Sequence, residues 1–139
     1  LDWEMATLGD PLMDLGSALA YWIQEDDDAL MKSSRRQPTN LKGMLTRQQV
    51  VDYYLEKTGL QPENWAFYEV FGLFRLAVIA QQIYYRYYHQ QTDNPAFKDF
   101  WILIHALHIR ALKLIAANNA EAQQLIPEYG AKLQDILKR

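Results

Sequence analysis

Apolar residues recur along most of this chain at helical rather than alternating spacing. Leu12, Leu15, Leu19 and Trp22 line one face of a helix over about residues 11–23. Gly9-Asp10-Pro11 marks its start: Asp10 is placed as an N-cap and Pro11 as the first helical residue, where its missing N–H costs nothing, with Leu8 available as a staple. Thr46 and Gln49 spell a Thr-x-x-Gln capping box, and Val50, Tyr53, Tyr54 and Leu55 carry a short amphipathic helix to a stop at Gly59. A third helix starts between residues 62 and 65 and extends to about 90. Phe67, Val70, Phe71, Phe74, Leu76, Val78, Ile79 and Ile83 make it apolar on most of its circumference, as expected of a central helix.

Asn94-Pro95 breaks that pattern. Beyond it Phe97, Trp101, Ile104, His105, His108, Ala111, Leu112 and Ile115 define a fourth long helix, forming an antiparallel hairpin with the third. Tyr129, Leu133, Ile136 and Leu137 predict a last helix over about 127–137 that closes the bundle. Periodicity is lost over residues 24–45, where an acidic run at 25–28 gives way to Lys32, Arg35, Arg36 and Pro38; this reads as a long mobile loop. The expectation is one all-α domain over residues 1–139, a helical bundle with a short extended segment at the N-terminus.

Composition narrows the function classes. At 139 residues the chain is long enough for one core, and half of it is hydrophobic, which excludes a disordered chain. A net charge of -3 gives no field of one sign, so neither nucleic acid nor a membrane surface is expected as partner. The absence of cysteine excludes a disulfide framework and thiolate chemistry and agrees with a reducing compartment, the cytoplasm by default. Gln81, Gln82, Arg86, His105, His108 and Arg110 interrupt the longest apolar stretches, so no membrane-crossing helix is expected. The chain has neither an initiator Met nor the basic start of a signal peptide, and its beginning reads as a cut through a longer protein.

Asp2-Trp3-Glu4, followed by Gly9-Asp10-Pro11 and Asp14-Leu15, resembles the metal-binding segment and downstream helix of the aminoglycoside phosphotransferase and choline kinase group of kinase-like enzymes. The match is to the branch whose motif reads I-D-W-E-x-A-x-x-G-D-P-x-x-D-L. It is specific over residues 1–16, and weaker patterns at 46–59 and 71–87, including Phe74-Arg75-Leu76 and Arg86-Tyr87, extend it over most of the chain. The resemblance implies the C-terminal helical subdomain of a protein-kinase-like fold, with Asp2 in the place of the aspartate that holds the magnesium bridging the nucleotide phosphates. Phosphoryl transfer asks mainly for positioning and neutralised charge, and one hard carboxylate suits magnesium because phosphates and waters fill its other positions. Glu4 either adds negative charge near that metal or is solvated.

From the residues alone, Asp2 reads as a fraying chain end and Asp10 as a helix cap. Asp14 either points to solvent or pairs with a cation. Arg75, mid-helix among apolar neighbours, is the candidate for that cation, or it runs its stem along the core to reach water. His105 and His108 share a helix face, but no third ligand stands at matching spacing, so they read as core or surface histidines. The tyrosines at 84, 85, 87 and 88 surround one helical turn and read as packing on two sides; the resemblance adds that such helices help to form the acceptor pocket.

The glycine-rich turn, the phosphate-binding lysine and the H-G-D-x-x-x-x-N catalytic loop of such enzymes do not occur: His89, His105 and His108 are followed by Gln90, Ala106 and Ile109. The expectation is therefore part of an enzyme that uses Mg2+ and ATP or GTP to phosphorylate a small-molecule hydroxyl, inactive on its own and binding no cofactor tightly. The alternatives are a stand-alone helical interaction or ligand-binding module and, more weakly, a helical regulator, for which residues 45–60 lack a basic recognition face.

Overall fold

The computed structural model describes residues 8–117 and 119–138. Among them the secondary structure is entirely helical: α1 (Pro11–Ala20), α2 (Ala29–Ser33), α3 (Arg47–Thr58), α4 (Trp65–Tyr88), a 3-10 turn (Pro95–Phe97), α5 (Phe100–Ala116) and α6 (Ala120–Leu137). The protein is a helical bundle. The extended opening expected from the sequence, with Asp2 and Glu4, lies outside the described residues.

The central position of α4 follows from its sequence, since it packs on α5 along one side and on α1 along another. Ala20, Ile23, Met31, Leu73, Ala106 and Leu107 form the buried core between these elements. α4 is also the one helix among the described residues with the length and apolar composition of a membrane span, where the sequence reading found none. Only 17% of that stretch is buried, and Phe67, Phe74 and Val78 are exposed, so packing on α1 and α5 accounts for part of this composition only.

Two glycines set how closely α1 and α4 approach. A Cβ on Gly72 would stand 2.1 Å from the Gly16 carbonyl oxygen, and one on Gly16 would stand 2.3 Å from that of Tyr68. Backbone meets backbone there, so neither side can yield by turning a side chain. At the head of α1, Asp10 accepts from the Leu12 N–H at 2.9 Å and from the Tyr68 hydroxyl at 2.6 Å. The cap thus also ties α1 to α4.

Four features differ from the sequence reading, the first being that α1 ends at Ala20 rather than near 23. α4 stops at Tyr88 because Gln90 takes a left-handed φ of 57°. The Gln90 and Gln91 N–H groups then turn back onto the Tyr87 and Arg86 carbonyls, closing the end as a Schellman motif does. α6 begins at Ala120 rather than near 127, because Asn119 caps it by accepting from the Glu121 and Ala122 N–H groups. Pro127 sits inside that helix and does not open it.

The fourth difference is the stretch 24–45, which contains α2 and is held in place. Met31 and Thr39 are buried, and the Thr39 hydroxyl accepts from the Ile23 N–H. The Trp22 indole donates to the Leu45 carbonyl at 2.9 Å, and the Asp28 carboxylate caps α2.

Candidate functional site

The region downstream of the opening motif is positioned by α1 and by the polar contacts around it. Asp14 is exposed on α1, and no ion pair joins it to Arg75 among the described residues. Instead Arg75 Nη1 donates to Ser17 Oγ at 3.3 Å, while Ser17 itself donates to the Met13 carbonyl at 2.7 Å. Asp14 and Ser17 are three residues apart, and it is Ser17 that turns toward α4. Both Asp14 and Arg75 line a groove of about 240 Å³ with Ser17, Tyr21 and Gly72.

A second polar cluster lies deeper, and the sequence reading missed it. Arg47 grips Asp27 bidentately, Nη1 to Oδ2 at 2.6 Å and Nη2 to Oδ1 at 2.8 Å, and also donates to the Trp22 carbonyl. The Gln24 N–H donates to the same carboxylate, and Arg110 Nη1 stands 3.9 Å from Asp27 Oδ1. Burial alone would raise the Asp27 pKa, but the bonds from Arg47 and Gln24 and the charges of Arg47 and Arg110 together hold it below its ordinary value. Glu69 is shifted up, chiefly by burial, against the pull of Arg110 and Arg47. Burial lowers the Arg110 pKa, and its Nη1 has no hydrogen-bond partner among the described residues. The cluster fastens the α1 to α3 connection to the start of α3 and sets it beside Arg110 of α5.

Asp27→Asn is expected to cost about 2 kcal/mol, between the values for exposed and for fully buried ion pairs, because two guanidinium groups lose their counter-charge. The pH dependence has a definite sign. A carboxyl whose folded pKa is depressed stabilises the fold above its unfolded pKa of about 4 and loses that contribution as pH falls through the lower folded value. Urea unfolding at pH 7 and pH 3 checks both points: the gap between wild type and variant narrows at pH 3.

His105 and His108 meet Tyr129 of α6. The Tyr129 hydroxyl hydrogen-bonds His105 Nδ1, and the His108 ring lies 4.4 Å from the Tyr129 ring. Burial, then the neighbouring His108, lowers the His105 pKa and favours the neutral ring. No group of three metal-binding side chains occurs among the described residues. In the tyrosine run, Tyr84 and Tyr87 are half-buried, whereas Tyr85 and Tyr88 are exposed and contact His89.

Residues 1–46 match the phosphotransferase enzyme family, and the kinase-like resemblance of the opening is shown by that match. The chain is 38% identical over 88 residues to acyl-CoA dehydrogenase family member 10 of Mus musculus, covering 62% of this chain and 8% of that protein. It is 30% identical over 89 residues to member 11 of the same species and 33% identical over 91 residues to a probable acyl-CoA dehydrogenase of Arabidopsis thaliana, in each case over 63% of this chain and 11% of the relative. The chain thus spans about a tenth of the length of the curated relatives that it matches. No solved structure matches it.

Proposed function

We propose that this chain is the C-terminal helical part of a cytoplasmic kinase-like phosphotransferase that moves a phosphoryl group from ATP or GTP to a hydroxyl of a small molecule. The observation that carries the reading is the match of residues 1–46 to the phosphotransferase enzyme family, which takes in the Asp2-Trp3-Glu4 motif. Asp2 would hold the magnesium, with Glu4 as an accessory charge, and the metal would neutralise the phosphate oxygens during transfer. The donor set fits magnesium in kind: hard carboxylate oxygen, with phosphates and water completing the sphere. Asp10 caps and anchors α1, the first element after the motif, and Arg75 holds it to α4 through Ser17. In this reading the 139 residues do not catalyse transfer by themselves, because the catalytic loop and the phosphate-binding lysine belong to another part of the protein.

A second reading, a stand-alone helical interaction module, is favoured by one observation. Phe74, Val78 and Ile115 are exposed around an apolar groove of about 420 Å³ between α4 and α5. The intact mass of the native gene product in its source cells separates the two. The phosphotransferase reading predicts more than about twice the 16.3 kDa of this chain, enough for a domain of nucleotide-binding size beside it. A native product of 16.3 kDa would leave the interaction module.

A further inference from the structure

A cavity of about 180 Å³ lies among α1, α2, α4 and α5, walled by Ala20, Ile23, Met31, Ile79, Ile83 and Leu107. Arg36 is the one charged residue among the described residues that line it. The Arg36 side chain is exposed and forms no hydrogen bond or ion pair with the described residues. Ser34 also lines the cavity, but its hydroxyl proton goes to the Met31 carbonyl at 2.7 Å. The cation beside the apolar walls is therefore uncommitted.

We propose that this cavity binds an aliphatic carboxylate, with the chain against Ile79, Ile83 and Leu103 and the carboxylate on the Arg36 guanidinium. Apolar walls with a few polar groups, here Tyr21, Ser34 and the single cation Arg36, make a small-molecule site, and the planar fork of arginine matches a carboxylate bidentately. An adjoining cavity of about 370 Å³ shares Ser34, Arg36, Phe100 and Leu103 but is also lined by Asp99. That second carboxylate repels an anionic head group, which sets the head at Arg36 rather than farther out. Each methylene taken from water multiplies affinity about fourfold, so chain length controls binding as strongly as the charge does. The site is independent of the phosphoryl-transfer reading and stands or falls without it.

Titration of the 139-residue chain with octanoate, butyrate and 1-octanol, followed by calorimetry and by changes in backbone amide resonances, tests this. Saturable octanoate binding is expected, with butyrate at least tenfold weaker. Arg36→Gln, an exposed change that leaves the helices intact, should weaken octanoate about tenfold or more and leave 1-octanol unchanged. The proposal is overturned by an octanoate titration that does not saturate at millimolar concentration, by equal affinity for butyrate, or by an Arg36→Gln variant that binds octanoate as the wild type does.

Discussion

Replacing Gly72 with alanine is expected to destabilise the chain by more than about 3 kcal/mol, a large share of the stability of a domain of this size. The added methyl group would sit 2.1 Å from the Gly16 carbonyl oxygen and 2.6 Å from its carbon, with the Ser17 nitrogen at 3.0 Å. All three are backbone atoms. Relief requires α1 and α4 to separate, which opens the packing around Leu19 and Leu73 and stretches the Arg75 to Ser17 and Tyr68 to Asp10 contacts. Gly130, in α6, supplies the comparison: a Cβ there meets nothing within 4 Å, so Gly130→Ala should stabilise by up to about 1 kcal/mol through helix propensity. Urea unfolding followed by circular dichroism measures both variants. A Gly72→Ala variant within 1 kcal/mol of wild type would disprove the close crossing of α1 and α4.

The second large effect concerns chemistry. If the proposed reading holds, Asp2→Asn in the longer phosphotransferase is expected to lower kcat by at least about a hundredfold, because the amide keeps the shape of the side chain but loses the anionic oxygen that a divalent cation needs. Stabilisation of phosphate charge by a metal is worth several kcal/mol, and each 1.36 kcal/mol is a factor of about ten in rate. Glu4→Gln is expected to cost less than tenfold, since the proposal gives Glu4 an accessory charge at most. Steady-state kinetics at saturating Mg2+ and nucleotide measures both. Equal losses for the two variants would contradict the separate roles given to Asp2 and Glu4.

Local signals made much of this fold legible. The Asp10-Pro11 start, the Thr46 and Gln49 capping box and the Gly59 stop are chemical statements about single backbone groups, and the helices begin or end where those groups require. The end of α4 was hard to read because its signal is unusual, and the start of α6 because Pro127 drew it away from an ordinary Asn cap. Gln90 does the work of a C-terminal glycine, and Asn119 caps a helix that then accommodates Pro127. The stretch 24–45 read as a loop because its anchors are long-range: Asp27 finds Arg47, Trp22 finds the Leu45 carbonyl, and Thr39 finds Ile23.

The polar sites divide the same way. Arg75 stood out as a cation on an apolar helix, but its partner is the Ser17 hydroxyl, a residue that periodicity cannot mark as an acceptor. Arg110 carried the same signal, lying beside Leu107 and Ala111 in α5, and it could have been chosen by the same reasoning. Glu69, inside the apolar run of α4, was a further sign of the charge cluster. What the sequence withheld was only which of these charges share one place.

The most direct test of the central claim is nucleotide-dependent phosphoryl transfer by the complete protein, read as ADP or GDP release in the presence of Mg2+ across a panel of small hydroxyl compounds, with the 139-residue chain assayed alongside. Acceptor-stimulated release by the proposed longer phosphotransferase is expected, lost in Asp2→Asn, with none by the 139-residue chain alone. Undiminished release by the Asp2→Asn protein, or no release by the wild type with any hydroxyl acceptor, would contradict that claim.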